Sequence, residues 1–344
     1  MVVKQAPLAI AARAESKAKA ERDAKAAADA KVAADAKAWG FDTLTPIGAD
    51  WIDPNHTPDP MRFVAVRKAN GETLRAIPCG KVSLLAAEGG TGKTTLSAQL
   101  AIAVATGGDW IGFKVAERGR VLWLLGEEDD AIAKRLVWHA AKAAKLNEGD
   151  RAKLLANLHV RAFAGSGAVL ALREGTKGAD ATTFAKNLAA ALGASTSDAD
   201  DPWRLVIVDP LSRFSHAEDE NDNATATKVI EGLEMLAKAS RAAVLACHHS
   251  GKSSKTEKKE GAAAFRGASA LLDGARFGMT LSHDSGNGRT LKCAKSNYAK
   301  RWDDVPLIFD STDKVFVLGS SGATAPSANQ DAKNNGAKKI TVGK

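Results

Sequence analysis

Residues 82–95, VSLLAAEGGTGKTT, constrain this chain more than any other stretch. Val82 to Leu85 is an apolar run short enough for a buried strand. A glycine-dense turn follows at Glu88-Gly89-Gly90-Thr91-Gly92, then Lys93-Thr94-Thr95, and LSAQLAIAVA has the composition of a helix. Strand, glycine-rich turn, Lys-Thr and helix, in that order, build a phosphate cradle. Small residues let successive backbone N–H groups converge on an anion, and the helix N-terminus adds its partial positive charge. On this reading residues 87–95 surround the phosphates of ATP, Lys93 reaches the β- and γ-phosphates, and the Thr94 hydroxyl holds Mg²⁺. The motif usually opens on glycine; here that position is Ala87, one methyl group larger. The competing reading is an ordinary glycine-rich turn before a helix, and the strand and helix on its two sides count against it.

Three cysteines in 344 residues, Cys79, Cys247 and Cys293, lie far apart without CxxC spacing. That argues for reduced thiols and a cytoplasmic setting. No apolar run approaches the length of a membrane span, and the first residues make a poor signal peptide because their apolar patch is brief and runs into charge. The net charge of +8 is concentrated at the ends: residues 1–40 carry eight Lys/Arg against five acids, and residues 318–344 carry four Lys against one Asp. A basic balance permits a nucleic-acid partner without establishing one.

The ends also differ in composition. Residues 1–40 are rich in Ala, Lys, Arg, Asp and Glu, good helix formers without a stripe of large apolar residues, and read as a solvated leader. Residues 41–61 carry linker and turn chemistry, 62–318 the ATPase domain, and 319–344 the composition of a disordered tail. Within the domain, residues 63–66 and 73–77 flank an Asn70-Gly71 turn and predict a hairpin. Buried-type strands are expected at 121–125, 204–209 and 242–247, with a further strand at 157–163. Helices are expected at 131–146, 181–193, 224–239 and 266–273, and residues 166–179 read as a glycine-rich loop. Further strands at 276–282, 289–294, 305–309 and 314–318 are expected to add antiparallel pairing on the C-terminal side. Alternating strands and helices predict an α/β fold with a largely parallel central sheet covered on both faces. Ligands on such sheets bind beyond the carboxyl ends of the strands.

The polar clusters fall where that rule puts them. Asp209 ends an apolar strand and is placed to support Mg²⁺. Glu127 opens a run of four acids after the preceding buried strand, Glu127 to Asp130. A carboxylate there can orient and deprotonate an attacking water, although acids in a first helical turn also complement the helix dipole. His248-His249 end another strand, and one of them can hydrogen-bond the γ-phosphate region. The loop after them, with Lys252, Lys255, Lys258 and Lys259, has the charge to contact a phosphate backbone. Arg266 and Arg276 follow in FRGASALLDGARF, and an arginine supplied by a neighbouring subunit can stabilise phosphoryl-transfer charge.

The run GGTGKTT, LLGEEDD, VIVDPLSRF, VLACHHSGK, FRGASALLDGARF and CAKSNYA resembles the RepA-type ATPases, hexameric replicative helicases of plasmids and their phage relatives within the RecA/DnaB-like P-loop class, over roughly residues 62–310. The resemblance implies a RecA-like core, with Lys93 and Thr94 as the Walker A pair, Glu127 as catalytic glutamate and Asp209 as Walker B aspartate. It implies that His248-His249 couple the γ-phosphate to a DNA loop and that Arg276 is a trans-acting finger. Lys295 falls where DnaB-like proteins begin a Lys-x-Arg pair, but the second position here is Asn297, which shifts the finger to Arg276. Arg266 lies in a segment like the family's RGSS turn and is structural or DNA-facing. The implied partners are single-stranded DNA, further copies of the chain in a ring of six, and a replication initiator or loader. A recombination ATPase or mediator that does not unwind, and a regulatory nucleotide-sensing ATPase, share these motifs.

Overall fold

The computed structural model describes residues 6–38, 59–69, 71–174, 177–195, 202–215, 223–249 and 269–319, and the chain divides into two units, Met1–Pro60 and Met61–Lys344. In the first unit, Ala6–Ala38 form one helix, α1. Its described side chains are exposed, including Val32, as expected of a helix with no apolar stripe to bury.

In the second unit the chain runs through β1 (Phe63–Ala69), β2 (Glu72–Pro78), β3 (Val82–Ala87), α2 (Lys93–Thr106), β4 (Asp109–Trp110), β5 (Phe113–Val115) and β6 (Arg120–Leu125). Then come α3 (Asp130–Ala143), α4 (Glu148–Asn157), β7 (Leu158–Ala162), β8 (Ala171–Glu174), β9 (Lys177–Ala181), α5 (Thr183–Ala194) and β10 (Trp203–Asp209). The remainder is α6 (Asn223–Ser240), β11 (Ala243–His249), α7 (Ser269–Gly274), β12 (Phe277–His283), β13 (Gly288–Ser296), β14 (Val305–Asp310) and β15 (Val315–Leu318).

Among the described residues the main sheet has the order β15-β14-β13-β12-β3-β11-β10-β6-β7. From β12 to β7 every neighbouring pair is parallel, and β13, β14 and β15 add antiparallel strands beside β12. The α/β class and the mixed sheet follow the expectation from sequence. The central strands VSLLAA, WRLVIVD, AVLACHH and RVLWLL are nearly continuous apolar runs because helices cover both of their faces. Strand alternation divides them between two cores. Leu85, Ala87, Ile207, Leu245 and Cys247 pack on the α2 side, while Leu84, Ala86, Val206, Val208, Val244 and Ala246 pack with Leu233 and Leu236 of α6 on the other. α2 contributes eleven buried residues of fourteen, so the helix that follows the glycine-rich turn is itself core.

One segment departs from the expectation, and three further elements were not anticipated. Residues 166–179 hold strand β8 and the start of β9, antiparallel to each other, where a loop was expected. The connector after α2 contains β4 and β5, which join β1 and β2 in a small antiparallel sheet; strands of two and three residues are too short to show alternation. α4 starts on an Asn147 cap and buries only Leu154 and Asn157, so it carries no stripe to announce it. The segments 41–58 and 320–344 lie outside the described residues.

Candidate functional site

The register of the parallel strands brings Ala87 opposite His249 and Leu125 opposite Asp209. The segments that leave β3, β6, β10 and β11 therefore emerge at one edge of the sheet. Alternation adds a second condition. Ala87, Asp209 and His249 fall on the α2 side, and Glu127 lies in the bend just beyond Leu125, where β6 has ended. His248 falls on the α6 side, so the two adjacent histidines separate.

At this edge the glycine-rich turn is shaped by its backbone. Gly90 has φ 75° and Gly92 φ 108°, values that favour glycine. A Cβ on Gly92 would lie 2.5 Å from Cζ of the buried Phe316. Ala87 needs no such freedom: it is the last residue of β3, buried, and its role here is that of a carbonyl. No side chain caps α2 and its first turn holds no acid, which leaves the helix-terminal amides open to an anion.

The buried Lys93 places its ammonium 2.8 Å from Ala87 O, 3.3 Å from Glu88 O and 3.2 Å from His249 Nδ1. An ammonium has only donors, so Nδ1 presents a lone pair and a neutral ring carries its proton on Nε2. Burial pulls the lysine below its ordinary pKa, against the opposing attraction of neighbours that include Asp209 and Glu127. Burial also lowers His248, to about 4, with the charges of His249 and Lys93 adding to it.

Asp209 is 2% exposed. Burial raises its carboxyl to about 6, against the hydrogen bond from the Thr94 hydroxyl and the charge of Lys93, while Glu127 and Glu128 push it further up. Its Oδ2 is buried without a protein partner. A hydroxyl beside a carboxylate oxygen with an open valence is a hard-oxygen donor set, and it fits Mg²⁺. Beneath it, the buried Cys247 thiol sits 3.2 Å from Ser97 Oγ of α2.

Several contacts at this edge were not foreseen from sequence. Arg213 Nε donates to Glu127 Oε1 at 3.1 Å. Arg289, at the start of β13, donates from Nε to Thr91 O at 3.0 Å. Gln99 of α2 exchanges two hydrogen bonds of 2.9 Å with the Phe316 backbone. The antiparallel strands thus brace the glycine-rich turn from outside. These partners lie 86 to 217 residues apart, beyond any local pattern.

The remaining sequence candidates lie elsewhere. Arg276 is exposed at the opposite edge, where its N–H donates to Val82 O. β3 runs from Val82 to Ala87, about 16 Å at roughly 3.3 Å per residue, farther than an arginine side chain spans. Lys295 pairs opposite Gly278 at that same edge, and its ammonium donates to Leu272 O at 2.8 Å and Asp273 O at 2.9 Å, at the end of α7. Lys252, Lys255, Lys258, Lys259 and Arg266 lie outside the described residues.

A parallel sheet with a glycine-rich turn at its carboxyl edge, a buried lysine opening the helix after that turn and a carboxylate beside the next residue, Thr94, defines a P-loop NTPase. The family described as "AAA domain" matches residues 71–255, more than half of the chain. The chain belongs to this AAA domain family, and membership makes it an ATP-binding and ATP-hydrolysing enzyme of that class. Among solved structures, one titled "ATPase Domain of G40P" is similar at 15% identity and TM-score 0.49, over 69% of this chain and 84% of that one. No helix among the described residues is long and apolar enough to cross a membrane.

Proposed function

We propose that the chain is a DNA-translocating motor, a ring-shaped replicative helicase of RepA type that hydrolyses ATP between subunits. The observation that carries this reading is the division of the candidate groups between two edges of one sheet. Lys93, Thr94, Asp209, Glu127 and His249 share the carboxyl edge, whereas Arg276 is exposed at the amino edge. An arginine so placed serves a nucleotide only on another copy of the chain. The motif order seen in the sequence supports DNA as the track.

In this mechanism the amides of residues 90–95 hold the phosphates and Lys93 exchanges its carbonyl partners for phosphate oxygens. Thr94 and Asp209 would hold Mg²⁺, which would supply positive charge against the phosphates. Glu127 takes a proton from the water that attacks the γ-phosphorus as the bond to the bridging oxygen breaks. Arg276 of a neighbouring copy meets the charge that develops. His249, bonded to Lys93, links the phosphates to the lysine-rich segment that follows, which contacts single-stranded DNA. A forked duplex with a single-stranded tail tests the reading. ATP-dependent strand displacement with DNA-stimulated hydrolysis is expected. DNA-stimulated hydrolysis without displacement would instead indicate a recombination ATPase, and DNA-independent hydrolysis a regulatory one.

A further inference from the structure

The ion pair between Arg213 and Glu127 has the look of an ordinary surface contact, with side chains 62% and 39% exposed. Such pairs contribute little to stability. The surrounding structure, however, is built to bring them together. Gly126 donates its N–H to Asp209 O at 2.8 Å, tying the ends of β6 and β10. A Cβ on Gly126 would lie 2.5 Å from Arg213 Cβ and 2.9 Å from Phe214 Cε2, so the two segments approach closer than any other residue type allows. On the other side, a 3₁₀ turn at Leu211–Arg213 is pinned by buried Leu211 and Phe214. Phe214 N bonds Leu211 O, Phe214 O accepts from Leu170 N at 2.7 Å, and the Phe214 ring meets Phe163 edge-on. An exposed guanidinium thus springs from a rigid base directly over the strand end that carries Glu127.

The chemistry of the edge gives that arrangement a purpose. Glu127, Glu128 and Asp209 crowd negative charge beside one another, and a glutamate with three free torsions would swing away from its neighbours. Arg213 Nε engages Oε1 alone, which leaves Oε2 to face a water. We infer that Arg213 is a positioning residue that holds the Glu127 carboxylate beside Asp209 with one oxygen free for the attacking water. This rests on the proposed role of Glu127 as general base.

The test uses the full chain with ATP, Mg²⁺ and single-stranded DNA. Arg213→Ala should lower kcat by about 10- to 100-fold, the range for misplacing a base by around an ångström. The KM for ATP and the affinity for a fluorescent ATP analogue should not change. The melting temperature should also hold, since the pair is exposed. Arg213→Lys, which restores the charge without the guanidinium fork, should recover part of the rate. The double variant R213A/E127Q should turn over no more slowly than E127Q. Wild-type kcat in Arg213→Ala overturns the inference, as does a rise in KM at unchanged kcat, which would make Arg213 a phosphate ligand. Glu127→Gln separates the two layers: normal turnover in that variant refutes the base itself, whereas an inactive Glu127→Gln beside a normal Arg213→Ala refutes only the positioning role.

Discussion

Replacing Asp209 by Asn should remove one acid-favouring contribution to the stability of the nucleotide-free protein while abolishing Mg²⁺-dependent turnover. Burial raises the Asp209 carboxyl from 3.8 to about 6. A raised carboxyl pKa means that the folded state holds its proton more tightly than the unfolded state. Stability contributed by this group is therefore greatest in acid and is lost as pH rises from the unfolded value through the folded one. The loss is complete above about pH 7 and amounts to roughly 3 kcal/mol, at about 1.4 kcal/mol per unit. Asparagine does not titrate, so Asp209→Asn should gain relative to wild type by about 2 kcal/mol between about pH 4.5 and about pH 8. The new amide brings its own constant cost, about 1–3 kcal/mol if a buried donor is left unpaired. That cost is the same at both pH values and drops out of the difference. His248, lowered to about 4, destabilises toward acid, but it does so in both proteins and cancels as well. Urea unfolding of the two proteins across this range, without nucleotide or Mg²⁺, measures the quantity. Parallel curves, separated by a constant offset, would refute the idea that Asp209 is held in the fold at the expense of stability.

Three further outcomes follow from the same geometry. Gly92→Ala places a methyl group 2.5 Å from Phe316 at a φ of 108°; it should cost about 2–4 kcal/mol from strain and overlap, seen as a lower urea midpoint, and weaken ATP binding in a fluorescence titration. His249→Ala removes the ring that accepts from Lys93 and should reduce kcat and uncouple hydrolysis from DNA stimulation. His248→Ala, on the other face, should leave hydrolysis within about threefold of wild type, so comparing the two variants in one ATPase assay identifies the histidine in contact with the phosphates.

The ATP-binding edge was legible in the sequence because buried parallel strands read as unbroken apolar runs, and each run ends where its polar cluster begins. Ala87, which departs from the usual motif, is accommodated because that position lies on β3 and supplies a carbonyl to Lys93. Which histidine meets Lys93 was not legible from adjacency; it follows from the strand alternation that sends Cys247 toward α2 and Ala246 toward α6. Arg213, Arg289 and Phe316 were missed because each acts through a contact across the sheet. A lone arginine in PLSRF or NGRTL carries no periodic signal. Short or stripe-less elements, β4, β5 and α4, escaped for the same reason: too few buried residues to leave a pattern.

The claim that sites are completed between copies is tested most directly by mixing two inactive proteins. Lys93→Ala lacks the phosphate lysine but keeps Arg276; Arg276→Ala keeps the lysine but lacks the finger. Each alone should be close to inactive, with Arg276→Ala still binding ATP. Mixed at equal concentration with single-stranded DNA, they should regain a substantial fraction of the wild-type ATPase rate, because some interfaces then pair an intact Lys93 with an intact Arg276. A mixture no faster than the sum of its two components, or normal turnover in Arg276→Ala alone, would contradict it.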